Sequence, residues 1–198
     1  MPINMPITSI NEQIRALPPD TLYEIVDGEV IVAEPMGALG TIIAAMLTYF
    51  LNRFALSSGH GIALIEGLYC FDENLPQRRP DVSFIPAAQW PANLRPDADP
   101  RSLQTVPTLA VEVISPSSLA AEIEDKRLEY FEAGVKAVWI VHPIPRTIHV
   151  YSSPDDCHVI SADGVLDGGA AIPGFQVKMA DVFACVFPAE AQGVNENA

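Results

Sequence analysis

The hydrophobic positions fall into short β-rich runs, one long apolar run and one charged, amphipathic run. After a short helix-like N-terminal segment, YEIVDGEVIVAEP (23–35) sets two β-rich stretches around Asp27-Gly28, a strong two-residue turn signal, and predicts a hairpin. TIIAAMLTYFLNRFAL (41–56) predicts a helix stopped by Ser57-Ser58-Gly59, with Gly59 as its cap. It holds Asn52 and Arg53 and is too short for a comfortable bilayer span, so a buried helix and no membrane partner are expected. GIALIEGLYCFD (61–72) predicts one long or two short strands, and RRPDVSFIP (78–86) a short strand opened by Pro80.

TLAVEVIS (108–115) predicts a strand, residues 119–133 a helix ending at Gly134, and VKAVWIVHP (135–143) a nearly all-apolar strand of the kind buried on both faces. Strand, helix, strand in that order predicts a right-handed parallel crossover. TIHVYSS and CHVISA predict further antiparallel strands, and GFQVKMADVFACVF a strand and a short helix. The sum is an α/β chain: a mixed sheet with helix 41–56 on one face and helix 119–133 on the other. The proline-rich stretch 86–107 is expected to be an ordered surface loop, because too little chain lies on either side for two cores.

Length and composition agree. The 198 residues, 49% hydrophobic and 18% charged, suit one globular domain over 21–188, with an N-terminal extension (1–20) and a disordered C-terminal tail (189–198). No basic stretch followed by an apolar core opens the chain, so no signal peptide is expected. Cys70, Cys157 and Cys185 are odd in number and lack CxxC spacing; they are expected as buried free thiols in a reducing cytoplasm. A formal net charge of −14 argues against strong non-specific nucleic-acid binding, which depends on basic residues neutralising phosphates.

The candidate chemistry lies in the middle third. Asp81 and Glu112 stand in apolar strand-like runs, where a buried charge is expensive unless paired. Each could instead face solvent, as strand carboxylates commonly do. At about 100° per residue, Ile123, Tyr130, Leu119, Ala120 and Phe131 share one arc of the second helix, and Lys126 and Arg127 fall within it. Lys126 must snorkel out of that arc or meet a buried carboxylate. Glu112, one short connection earlier, is such a partner. Two carboxylates from neighbouring strands suit Mg²⁺, which prefers hard oxygen ligands and keeps several waters. Arg78 and Arg79 are either a solvated loop pair or phosphate contacts. Tyr130, four residues beyond Lys126, either packs in the core or supports the lysine. Glu24, Glu29, Glu34 and Glu66 are possible further site acids, with no ground for choosing among them. His60, His142, His149 and His158 show no close pairing in sequence and are assigned to no metal or triad.

The segments YEIVDGEVIVAEP, RRPDVSF, AVEVISPSS, EDKRLEYFEAGVKAVWIVHP and LDGGAAIPGFQV, in that order from about Tyr23 to Phe183, resemble the Uma-type (Uma-two) family of endonucleases in the PD-(D/E)xK nuclease superfamily. The resemblance implies a restriction-endonuclease-like fold, a mixed sheet flanked by helices. It implies a divalent-metal site at Asp81 and Glu112 and a catalytic lysine at Lys126. The superfamily's usual lysine position, two residues after the acid, is Ile114 here, so the lysine would have migrated to the following helix. Three departures stand out: Glu122 where the family usually shows Asp, His142 where it usually shows Asp, and Gly-Ala-Leu-Gly where a His often precedes the first helix.

Three functions follow from these residues. In the first, the chain is a Mg²⁺- or Mn²⁺-dependent DNA endonuclease and a homodimer: Asp81 and Glu112 ligate the metal with help from the Val113 carbonyl, Lys126 assists water attack, and Glu122, Tyr130 and Arg79 form a surrounding shell. In the second, the nuclease fold survives as an inactive binding or assembly module, which the net charge favours. In the third, Asp81 and Glu112 act as a metal-free acid/base pair, which leaves Lys126 unexplained.

Overall fold

The structure, a computed structural model, describes residues 9–72, 75–91, 93–95, 97–98 and 100–186. The expected tail at 189–198 lies outside them, as do the first eight residues of the expected extension.

Helix α1 (Ile10–Ala16) opens on a capping box in which Ser9 and Glu12 satisfy each other's backbone amides. Its residues Ile10 and Ile14 pack with Leu17 on Tyr23, Ile25 and Leu68, so residues 9–20 are joined to the domain by a small core of their own. The predicted hairpin is present as β1 (Tyr23–Val26) and β2 (Glu29–Val32). Asp27 (φ 50°) and Gly28 (φ 76°) both take the left-handed conformation that a type I′ turn requires.

Helix α2 (Ala38–Ser58) is longer than the apolar pattern indicated and ends at Gly59, whose φ of 69° makes it the left-handed cap expected. With 21 residues, it is long and apolar enough to cross a bilayer by length and composition alone. In this fold it lays Ile43, Ala44, Leu47, Leu51 and Ala55 on the sheet. It is buried on one face only, since Ile42, Tyr49 and Leu56 are exposed.

The expected single sheet is divided. The main sheet has six strands in the order β10-β9-β8-β7-β6-β3: β3 (Gly61–Ile65), β6 (Val82–Pro86), β7 (Leu109–Val113), β8 (Ala137–His142), β9 (Thr147–Ser153) and β10 (Asp156–Ile160). Its β7–β8 pair is parallel and the others antiparallel, so the crossover through α3 (Ala120–Glu132) joins parallel neighbours as expected. GIALIEGLYCFD splits into β3 and β4 (Tyr69–Cys70), and RRPDVSFIP splits between β5 (Gln77–Arg78) and β6. Strands β4 and β5 leave the main sheet and extend the hairpin into a second sheet, ordered β2-β1-β5-β4. The break falls at Pro80-Asp81, where proline cannot donate to a ladder. Strands β11 (Val165–Asp167) and β12 (Gln176–Lys178) form a small hairpin before α4 (Met179–Phe183).

Strand alternation assigns the two faces of the main sheet. Leu109, Val111 and Val113 of β7, with Trp139 and Val141 of β8, join α2 in the larger core. Ala110, Val138 and Ile140 face the other way, packing with Tyr130, Ile123 and Phe131 of α3. The loop 86–107 is tied down by Thr105 Oγ1 donating to Gln89 O (2.7 Å), Asn93 Nδ2 to Ser102 O (2.7 Å) and Leu103 N to Leu68 O (2.8 Å). The cysteines depart from expectation: no disulfide joins them, but Cys157, on edge strand β10, and Cys185 are exposed.

Candidate active site

The division of the sheet builds the site. Asp81 stands where the chain passes from the small sheet into β6, beside β7, because Val82 pairs with Val111. The Val113 amide donates a 2.6 Å hydrogen bond to Asp81 Oδ2, which pins the carboxylate against the end of β7. Glu112 is opposite in facing to Val111 and Val113, so it is directed under α3 and is 5% exposed.

Lys126 comes down from α3 to meet it. Its Nζ lies 3.5 Å from Glu112 Oε2 and 3.0 Å from Glu24 Oε1. Of its two sequence readings, the pairing one is observed. Among the four candidate acids, Glu24 alone is buried and in contact with the lysine. Glu29 and Glu34 are exposed; Glu34 accepts a 3.1 Å hydrogen bond from Ser117. Glu66, at a positive φ of 50°, donates its amide to Asp81 O (3.1 Å).

Behind Lys126 lies an ion network that the sequence did not indicate. Arg78 is buried, contrary to the solvated-loop reading. Its Nη1 is 2.9 Å from Glu24 Oε2, and its Nε and Nη2 grip the two oxygens of Glu129, Nη2 at 2.9 Å. The fork geometry of guanidinium suits this two-sided clamp. Glu24 also accepts from the Arg79 amide (2.9 Å). The Arg79 side chain turns to backbone oxygens, donating to Tyr23 O (3.3 Å) and Glu66 O. Tyr130 takes the packing role, fully buried in the α3 core, and its hydroxyl engages the lysine's partner rather than the lysine: Oη donates to Glu112 Oε1 at 2.6 Å.

Glu122 is a correction. It is exposed on the first turn of α3. The helix meets Glu112 through Lys126 and Tyr130 and meets Arg78 through Glu129, so the contact face runs toward the C-terminus of α3 and leaves Glu122 a turn outside it. Glu129 carries no local signal in the sequence, since its partner Arg78 is remote along the chain.

The electrostatics follow from this burial. Desolvation pushes Asp81 up to about 6, against the opposing effects of the Val113 amide and Lys126. Desolvation likewise raises Glu112 to about 7; Lys126 and the Tyr130 hydroxyl oppose it, while the Asp81 charge adds to it. Burial acts to lower Lys126, but the charges of Glu112 and Glu24 outweigh it and the net shift is upward, so the ammonium stays charged. Arg78 is likewise desolvated yet raised overall by Glu129 and Glu24. Among the described residues, no group of three or more His, Cys, Asp or Glu side chains is arranged to hold a metal ion. Asp81 and Glu112, the metal pair expected from sequence, stand on neighbouring strands, and Glu24 is committed to Lys126 and Arg78.

A large mixed sheet flanked by helices thus carries Asp81 and Glu112 on neighbouring strands and Lys126 on the following helix. A solved structure shares the fold over nearly its full length: the crystal structure described as a "putative nuclease belonging to DUF820" from Anabaena variabilis ATCC 29413, with a TM-score of 0.73, 16% identity, and coverage of 89% of this chain and 97% of that one. The Uma2 family model, described as "Putative restriction endonuclease", matches residues 11–180, and this chain belongs to that family. No curated protein matches the chain.

Proposed function

We propose that this protein is a divalent-metal-dependent endonuclease that hydrolyses phosphodiester bonds in DNA, working as a homodimer in the cytoplasm. The convergence of Asp81, Glu112 and Lys126 carries the reading. The donor set fits a hard cation such as Mg²⁺ or Mn²⁺. The half-buried Asp81 and the buried Glu112 are oxygen donors that desolvation, above all, pushes toward protonation, and Lys126, shared with Glu24, opposes that shift. When bound, such an ion supplies Lewis-acid charge at the scissile phosphate and acidifies water.

The chain's own residues do the rest. Asp81, held by the Val113 amide, and Glu112, held by Tyr130, present oxygens in fixed positions. Lys126 remains protonated at Nζ, so it can donate to an attacking water or offset developing phosphate charge. Glu24 orients that ammonium, and Arg78 with Glu129 holds Glu24.

One observation favours a second reading, a nuclease fold kept as a binding or assembly module. Arg78 is engaged by carboxylates, Arg79 by backbone oxygens, and the chain carries −14 overall, which leaves little positive field for DNA phosphates. Cleavage of supercoiled plasmid with Mg²⁺ or Mn²⁺ separates the two. Nicking that is lost in Asp81→Asn and Lys126→Met supports the nuclease. No nicking under any metal supports the module, and nicking that persists in chelator points to Asp81 and Glu112 as a metal-free acid/base pair.

A further inference from the structure

A second cluster of ligating side chains lies on the α3 face of the main sheet, apart from the acid site. Strands β8 and β9 are antiparallel with Ile140 opposite His149 and His142 opposite Thr147. Ile140 and His142 are two residues apart and so share a face, and cross-strand partners share it too. His142 and His149 are therefore diagonal neighbours, and their ring centroids are 4.4 Å apart at an interplanar angle of 45°. The absence of any pairing in sequence was misleading, because the register of a hairpin creates the pair. Among the described residues, no hydrogen bond or ion pair engages either imidazole.

The rings border a cleft of about 250 Å³, together with Ser118, Ile123 and Tyr151. The charged side chains at its edge, Glu124 and Arg127, are paired with each other, Arg127 Nε donating to Glu124 Oε2 at 3.0 Å. We infer that His142 and His149 form a two-histidine chelate for a borderline transition-metal ion such as Ni²⁺ or Zn²⁺, with waters completing its coordination in the cleft.

Two arguments carry this. Metal–nitrogen distances of about 2.0–2.1 Å place the centroids of two rings bound to one tetrahedral ion roughly 5 Å apart, close to the 4.4 Å observed. Imidazole nitrogen suits Zn²⁺, Ni²⁺ and Cu²⁺, whereas the carboxylates of Asp81 and Glu112 suit Mg²⁺ and Mn²⁺, so the two sites select different ions.

The test is calorimetric titration of the untagged full chain with Ni²⁺ alone, in saturating Mg²⁺, with thermal melts to show that each variant folds. Wild type is expected to bind one Ni²⁺, and His142→Asn and His149→Asn each to weaken it about tenfold or more. His158→Asn, on edge strand β10, and Asp81→Asn should bind as wild type does, which separates this site from the acid site. No Ni²⁺ binding by wild type, or binding unchanged by both histidine substitutions, overturns the inference.

Discussion

Tyr130 Oη donates a 2.6 Å hydrogen bond to Glu112 Oε1, while Lys126, one turn earlier on the same helix, approaches the other oxygen of that carboxylate. The bond favours the charged form of Glu112 and so opposes its desolvation. Tyr130→Phe should therefore cost about 1–2 kcal/mol in urea denaturation and move the acid limb of metal-supported cleavage to higher pH. An unchanged pH–rate profile would remove Tyr130 from the site and leave it a packing residue.

Isosteric changes test the proposed chemistry without breaking the fold. The Asp81→Asn side chain can still accept from the Val113 amide, and Glu112→Gln keeps the volume of a buried group. Each, like Lys126→Met, should lower plasmid nicking by about 100-fold or more while the protein still melts cooperatively. Wild-type nicking by a well-folded Lys126→Met would assign the lysine to structure alone.

The two raised carboxylates make a stability prediction with a definite sign. Both have folded pKa values above their unfolded ones, Asp81 about 6 against 3.8 and Glu112 about 7 against 4.5. Between those limits the folded state binds more protons than the unfolded one, so these groups make stability fall as pH rises from about 4 to 7. A divalent cation replaces the protons. Mg²⁺ or Mn²⁺ should raise Tm by roughly 5 °C at pH 8 and far less at pH 5.5, as scanning calorimetry can show. An equal shift at both values would place the ion elsewhere.

The Glu24–Arg78–Glu129 network should behave as one unit. Removing one member of a buried ion pair strands its partner, so Glu24→Ala or Arg78→Ala should each cost about 3–5 kcal/mol. The double variant should cost less than the sum by 1 kcal/mol or more. Arg127 serves as the control. It is buried against Glu124, Pro154 O (2.7 Å) and the Tyr151 ring (4.5 Å), and shares no partner with Arg78. Arg127→Ala and Arg78→Ala should add to within about 0.5 kcal/mol, and strong coupling between them would contradict the separation of the two clusters.

Sequence alone determined the elements whose signals are local. The Asp27-Gly28 turn, the Gly59 cap, the run 135–143 and the period of 119–133 each depend on residues a few positions apart, and strand alternation already set Glu112 opposite in facing to Val111 and Val113. The helical arc likewise marked Lys126 as a lysine in need of a partner. Only the tertiary structure decided which partner it has. Glu24 and Lys126 are about a hundred residues apart in the chain, and they meet because Pro80-Asp81 ends one sheet and begins another, bringing the β1–β2 hairpin beside α3. Arg78, Glu129 and the His142–His149 pair were hidden for the same reason. Whether a charged or ligating side chain is solvated or buried depends on what packs against it, and that is a property of strand register and sheet order rather than of the residues beside it in sequence.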